Sequence, residues 1–178
     1  MDNIAEPNND KKINIIGTNN RYQVKKLLKL PPVIKKKKNV EQLPDNYYLI
    51  ENQLDILERL TELELYATIK SLIDKKISSY KQQDIEKDKY DVDKFVTFDN
   101  VIGKMNESGL NCYYCSCKMF LLYEIVREMK QWTLDRVDND LGHNNDNVII
   151  SCLECNLKRR RTNKDSFLFT KNLTIVKN

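Results

Sequence analysis

The residues best suited to chemistry are two cysteine pairs, Cys112-x-x-Cys115 and Cys152-x-x-Cys155. A gap of two residues lets a tight knuckle turn aim both sulfurs at one ion, and four thiolates make a closed tetrahedral shell of the structural kind. The first residues, MDNIAEPNNDKK, are acidic and polar and do not read as a secretory leader. Paired cysteines are then better taken as metal ligands than as disulfides. The expectation is a structural Zn²⁺ on Cys112, Cys115, Cys152 and Cys155; reduced buried pairs or an iron–sulfur cluster are other uses of the same ligands. Cys117 is a spare or alternative ligand by position, and the symmetry of the two pairs makes it the bystander. The pairs flank about forty residues, so one ion closes a long loop, and the fold beneath it is expected to need the metal.

The stretch from Trp132 to Arg161 reads WTLDRVDNDLGHNNDNVIISCLECNLKRRR. Trp132-Thr133-Leu134 is a short β-prone run that predicts a strand ending at Asp135, with Trp132 in the core. Asp138-Asn139-Asp140-Leu141-Gly142 is a dense loop signal, and Val148-Ile149-Ile150 predicts a second strand. Ser151-x-x-Glu154 fits a capping box, with Ser151 as N-cap of a helix carrying Cys155, Asn156 and a basic run. The predicted order is strand, loop, strand, helix.

Cysteine spacing, Asp135-Arg136, Gly142-His143, Asn147 and Cys155-Asn156, in that order, resemble the HNH endonuclease family. Its ββα-metal core is often stapled by a CxxC…CxxC zinc site. The family has Asp-His at the end of the first strand, an Asn in the loop or second strand, and His or Asn just after the last Cys. Here Asp135-Arg136, Asn147 and Asn156 stand at those places. The string LDRVDNDLGHNNDN is close to a variant associated with phages and large DNA viruses. The resemblance covers about Phe95 to Lys164. It implies an α+β, zinc-bound ββα-metal domain that hydrolyses DNA phosphodiester bonds with Mg²⁺ or Mn²⁺.

Such hydrolysis needs a polarised phosphoryl oxygen, a stabilised leaving oxygen and an activated water, and one divalent ion supplies the first two. Asp135 is a hard oxygen ligand for it, and Asn156 could complete the cradle through its carbonyl. Asn147 would tie the loop down. Arg136 departs from the family, because arginine cannot take a proton near neutral pH; it could clamp the scissile phosphate instead. His143, the single histidine, has an intrinsic pKa suited to a general base, or it hydrogen-bonds the loop. Asp138 is a second candidate base or metal ligand. Lys158, Arg159, Arg160, Arg161 and Lys164 put dense positive charge beside the site, suited to DNA backbone contacts with little sequence preference. A retired nuclease fold that binds DNA or acts as a scaffold is the competing reading, favoured by Arg136.

The elements that must position these residues read less clearly. The chain has 178 residues, a net charge of +4 and 31% charged residues, with a mean hydropathy of −0.62. That suits one domain with polar extensions. No apolar run is long enough to span a membrane, and an intracellular, non-secreted protein is expected, in host cytoplasm or nucleus if viral. Residues 1–45, with Pro31-Pro32 and the run Lys35 to Lys38, read as a disordered basic tail or a phosphate-touching arm. Residues 46–92 read as a helical arm and charged linker. The arm is one amphipathic helix over Tyr47–Tyr80, whose broad apolar stripe seeks the C-terminal domain, a second copy or a protein partner; the linker is 81–92. Residues 93–178 hold the HNH-like domain, opening with a helix that carries Phe95, Phe98, Val101, Ile102 and Met105 and stops at Glu107-Ser108-Gly109. The ending FLFTKNLTIVKN suggests a helix turn and a strand.

Overall fold

The structure is a computed structural model that describes residues 34–37 and 43–173. The expectations for the rest of the N-terminal tail and for a final strand after 173 lie outside the described residues. From Lys35 onward these form one compact unit, of mixed α+β type. Its helices are α1 (Gln53–Glu58), α2 (Tyr66–Ile85), α3 (Phe98–Glu107), α4 (Leu153–Arg159) and α5 (Lys164–Asn172), and its strands are β1 (Trp132–Arg136) and β2 (Val148–Cys152).

The single helix expected over Tyr47–Tyr80 is broken. Single 3-10 turns at Asp45–Tyr48, Ile50–Asn52 and Leu60–Glu62 flank the short α1, and Leu63 is fully extended before α2 begins. The break lets Leu57, Leu60 and Ile69 all reach one core, which a straight helix could not arrange. Buried Gln53 fixes the corner. Its amide donates to the carbonyls of Tyr47 and Leu49 at 2.8 and 3.0 Å, and its oxygen accepts from the Leu122 backbone at 2.9 Å.

Helix α2 carries the real stripe: Ile69, Ile73, Ile77, Tyr80 and Asp84 are its buried residues. Steps of three and four place them on one face. The stripe packs into the chain's own core. The helix also runs through Ile85, into the segment read as linker. Helix α3 starts later than Phe95, because Thr97 is its N-cap: its hydroxyl accepts from the Asn100 backbone, and the Asn100 side chain returns the bond. Gly109 beyond its end has φ +54°, the left-handed geometry that glycine adopts without strain.

β1 and β2 pair antiparallel, with Trp132 opposite Cys152 and Arg136 opposite Val148. Strand, loop, strand and helix follow in the predicted order, each strand one or two residues longer than read. Part of the lysine run is paired as well. Lys36 bridges Ile125, with backbone bonds Lys37 to Glu124 at 2.8 Å and Val126 to Lys35 at 2.7 Å.

Candidate metal centre and its buried charges

The sulfurs of Cys112, Cys115, Cys152 and Cys155 lie within 4.8 Å of one another, with Cys115 and Cys152 at 3.9 Å. Tetrahedral thiolates at a Zn–S length of about 2.3 Å would stand about 3.8 Å apart, so the donor set fits zinc in number, chemistry and spacing. The first knuckle closes by Ser116 N–H donating to the Cys112 carbonyl and Cys112 N–H to the Cys117 carbonyl, both 2.9 Å. Ser116 adopts φ +55° to make the turn. Cys117 is half-buried and outside the group of four.

The second knuckle corrects the capping-box reading. Ser151 belongs to β2 and is buried against Thr133, which donates to the Ser151 carbonyl at 2.8 Å. The N-cap of α4 is Cys152, whose sulfur accepts from the Cys155 backbone at 3.4 Å. Cys152 N–H in turn donates to the Cys112 sulfur at 3.3 Å. Ligand and cap are thus one residue. The Cys152 thiol beside it, with help from backbone N–H groups, holds Cys112 down near 5, whereas burial pushes Cys155 up to about 12. Crowded sulfurs resist joint ionisation, and a divalent cation among them reverses that balance.

Asp135 lies in β1 at 3% exposure. Its oxygens accept from Arg159 Nε at 2.7 Å and Nη2 at 2.8 Å, and from the Tyr114 hydroxyl at 2.7 Å. Arg159 is wholly buried. It also donates to the Thr162 carbonyl at 2.7 Å and to the Arg136 carbonyl. Burial works against the guanidinium charge, but Asp135 outweighs it and the pKa is raised. Burial and the bond to Asp135 push the Tyr114 hydroxyl well up, and Phe167 of α5 covers its ring edge-on at 4.9 Å.

Asp135 and Asn156, read as holders of a hydrolytic ion, both make contacts inside the protein. Asp135 has three charge-assisted or hydroxyl donors on its two oxygens and is turned from solvent. Asn156 faces β1, its amide donating to Thr133 Oγ1 at 3.1 Å and the Leu134 carbonyl at 3.4 Å. Arg159, counted with the surface cations from its place in the run, is an internal clamp between α4 and β1.

The loop between the strands is held from two sides. Asn147 accepts from the Asp138 backbone and donates to the carbonyls of Asp138 and Gly142, all at 2.9 Å. Asp138 is exposed and caps its own turn, accepting from Asp140 N–H at 2.8 Å. On the other side, Asp84 reaches across from α2. Its oxygens meet the His143 backbone N–H at 2.5 Å and His143 Nδ1 at 2.8 Å. The imidazole lies 4.6 Å from the Tyr80 ring. Burial lowers the His143 pKa and Asp84 only partly opposes it. Arg136 Nη1 is 3.9 Å from Asp84 and donates to the Leu141 carbonyl at 3.1 Å. A Cβ on Gly142 would collide with the Lys89 carbonyl, so the loop docks on the turn that follows α2 only with glycine there.

Sequence reading missed Asp84 and Tyr114. Asp84 had a visible signal, since it stands four residues after Tyr80 on the apolar stripe; a carboxylate at a core position needs a buried partner. Tyr114, inside the first knuckle, had none. Of the basic run, Lys158, Arg160 and Arg161 are exposed and Lys164 is half-buried. Lys158 pairs with Glu154 and Arg161 with Asp140.

No family model matches the chain, and no solved structure matches it. It is similar to "Uncharacterized protein R423" of Acanthamoeba polyphaga mimivirus, with 29% identity over 156 residues. The match covers 83% of this chain and 27% of that protein, so the chain spans little more than a quarter of the relative's length. Among the described residues no helix is long and apolar enough to cross a membrane.

Proposed function

We propose that this chain is an HNH-type zinc module that binds nucleic acid, with the positions of the family's hydrolytic site turned to structural use. One observation carries the second half: the Asp135 carboxylate is fully engaged by Arg159 and Tyr114 inside the protein. The binding half rests on the exposed cations Lys158, Arg160 and Arg161 at the end of α4 and just beyond it. Exposed pairs such as Lys158–Glu154 and Arg161–Asp140 are weak in water and give way readily to phosphate oxygens. Contacts of this kind follow the backbone and carry little sequence information. Duplex binding measured across salt concentrations tests the reading. The triple variant Lys158→Ala, Arg160→Ala, Arg161→Ala is expected to bind more weakly and to lose up to about three units of the log–log salt slope; an unchanged slope contradicts it.

A second reading, metal-dependent endonuclease, is favoured by the Asp84–His143 pair. A carboxylate on Nδ1 orients an imidazole as general bases are oriented, and Arg136 stands beside it at the end of β1. Plasmid nicking with Mg²⁺ or Mn²⁺ that disappears in His143→Gln would favour this reading over the first.

A further inference from the structure

A second cluster of charge lies away from the cysteines, where the N-terminal lysine segment meets α2. Lys37, Tyr48, Leu72, Lys76, Tyr123 and Trp132 are among the walls of a half-enclosed cavity of about 40 Å³, room for a few waters or one small oxyanion. Lys37 Nζ lies 3.3 Å from the centroid of the Tyr123 ring; Lys76 Nζ lies 5.0 Å from that ring and 4.3 Å from that of Trp132.

Among the described residues, none lining this cavity is a carboxylate. Lys76 directs its three N–H bonds to neutral acceptors: the Tyr123 hydroxyl at 3.1 Å, Gln131 Oε1 at 2.8 Å and the Trp132 carbonyl. That satisfies its donors with neutral partners. The nearby acid, Glu124, is engaged by Lys36 at 3.0 Å. Aromatic faces attract cations, but that attraction is smaller than the cost of desolvating two ammonium groups side by side.

We infer that this cavity is a binding site for a small phosphate-type oxyanion, held by the Lys37 ammonium in the field of Lys76. Its supports are the converging cations, the lack of a lining carboxylate among the described residues, and the half-enclosed space. Burial lowers Lys37 to about 8 and Lys76 well below its usual range, and an anion between them would relieve both. The oxyanion can come from free phosphate or from the terminal phosphate of a strand, and the two sources are separable.

The test uses the full zinc-loaded chain at constant ionic strength, with thermal unfolding as the readout. Inorganic phosphate is titrated in one arm, and a short 5′-phosphorylated oligonucleotide against its unphosphorylated form in the other. Lys37 is only half-buried at the edge of the fold, so Lys37→Met is expected to fold. A saturable rise in Tm with either phosphate probe, absent in Lys37→Met, supports the site, and the arm that responds identifies the source. No saturable shift in either arm, or one that Lys37→Met leaves intact, overturns it. Its failure leaves the nucleic-acid reading untouched, because that reading rests on Lys158, Arg160 and Arg161.

Discussion

Two buried carboxylates organise this molecule in different ways. Asp135 is matched within the four-cysteine module by a two-pronged guanidinium and a tyrosine hydroxyl, all from residues between Tyr114 and Arg159. Asp84 comes from outside, on α2, and grips the strand-connecting loop through a backbone N–H and an imidazole. The first closes a unit upon itself. The second fastens that unit to the helical segment before it. An identical side chain thus serves internal rigidity in one place and assembly of the domain in the other.

The comparison can be broken most severely at the metal. Cys155→Ser, or a strong chelator, removes a ligand and the α4 connection together. Binding energies of structural zinc sites are on the order of 10 kcal/mol or more, so loss of folded signal from the sheet and α4 is expected by circular dichroism and tryptophan fluorescence, Trp132 being in β1. A folded chain that holds no zinc would contradict the centre.

Arg159→Met comes next. It leaves Asp135 buried without its partner, which costs about 3–5 kcal/mol in urea unfolding. Adding Asp135→Leu in the same chain is expected to recover much of the loss. No recovery would mean that the pair is not an isolated two-body clamp.

Asp84→Asn is expected to cost less, about 1–3 kcal/mol, because the amide keeps one acceptor for the His143 backbone. This side of the comparison also has a pH signature. The folded pKa of His143 lies below its usual 6.5, so the unfolded chain takes up a proton that the folded chain resists. Its contribution is therefore intact above about pH 6.5 and is lost as pH falls below that value toward the folded pKa. His143→Gln should flatten stability over that window, and Asp84→Asn should steepen it, since Asp84 is what holds the pKa up. A wild-type profile already flat between pH 7 and 5 would contradict the buried imidazole. Smallest of all, Lys158→Ala and Arg160→Ala are expected to move stability by less than about 0.5 kcal/mol while weakening DNA binding.

Residue spacing made the four-cysteine cluster legible, because CxxC geometry is local and tolerates few other uses. The strand–loop–strand–helix order was legible for the same reason, from short β-prone runs around a dense turn. What escaped is non-local. Nothing near residue 47 shows that Leu63 must extend so that Leu60 and Ile69 share a core, and nothing near residue 84 names His143 as a partner. Arg159 misled because a basic run looks solvent-facing throughout. On a short helix packed over a strand, however, one of four consecutive positions must point inward, and only Asp135 beneath it decides which charge can be tolerated there. Ser151 misled because a cysteine sulfur can cap as a serine hydroxyl does, and Cys152 stands one residue further on.

In the proposed function this module binds nucleic acid while its Asp135 position is structural. The most direct test is one preparation of zinc-loaded protein assayed for duplex binding and for supercoiled-plasmid nicking, with Mg²⁺ and with Mn²⁺. Salt-dependent binding without nicking under either metal is the expected result. Metal-dependent nicking that is lost in a still-folded Asp135→Asn variant would contradict it, and would return Asp135 to the chemistry its place in the sequence suggests.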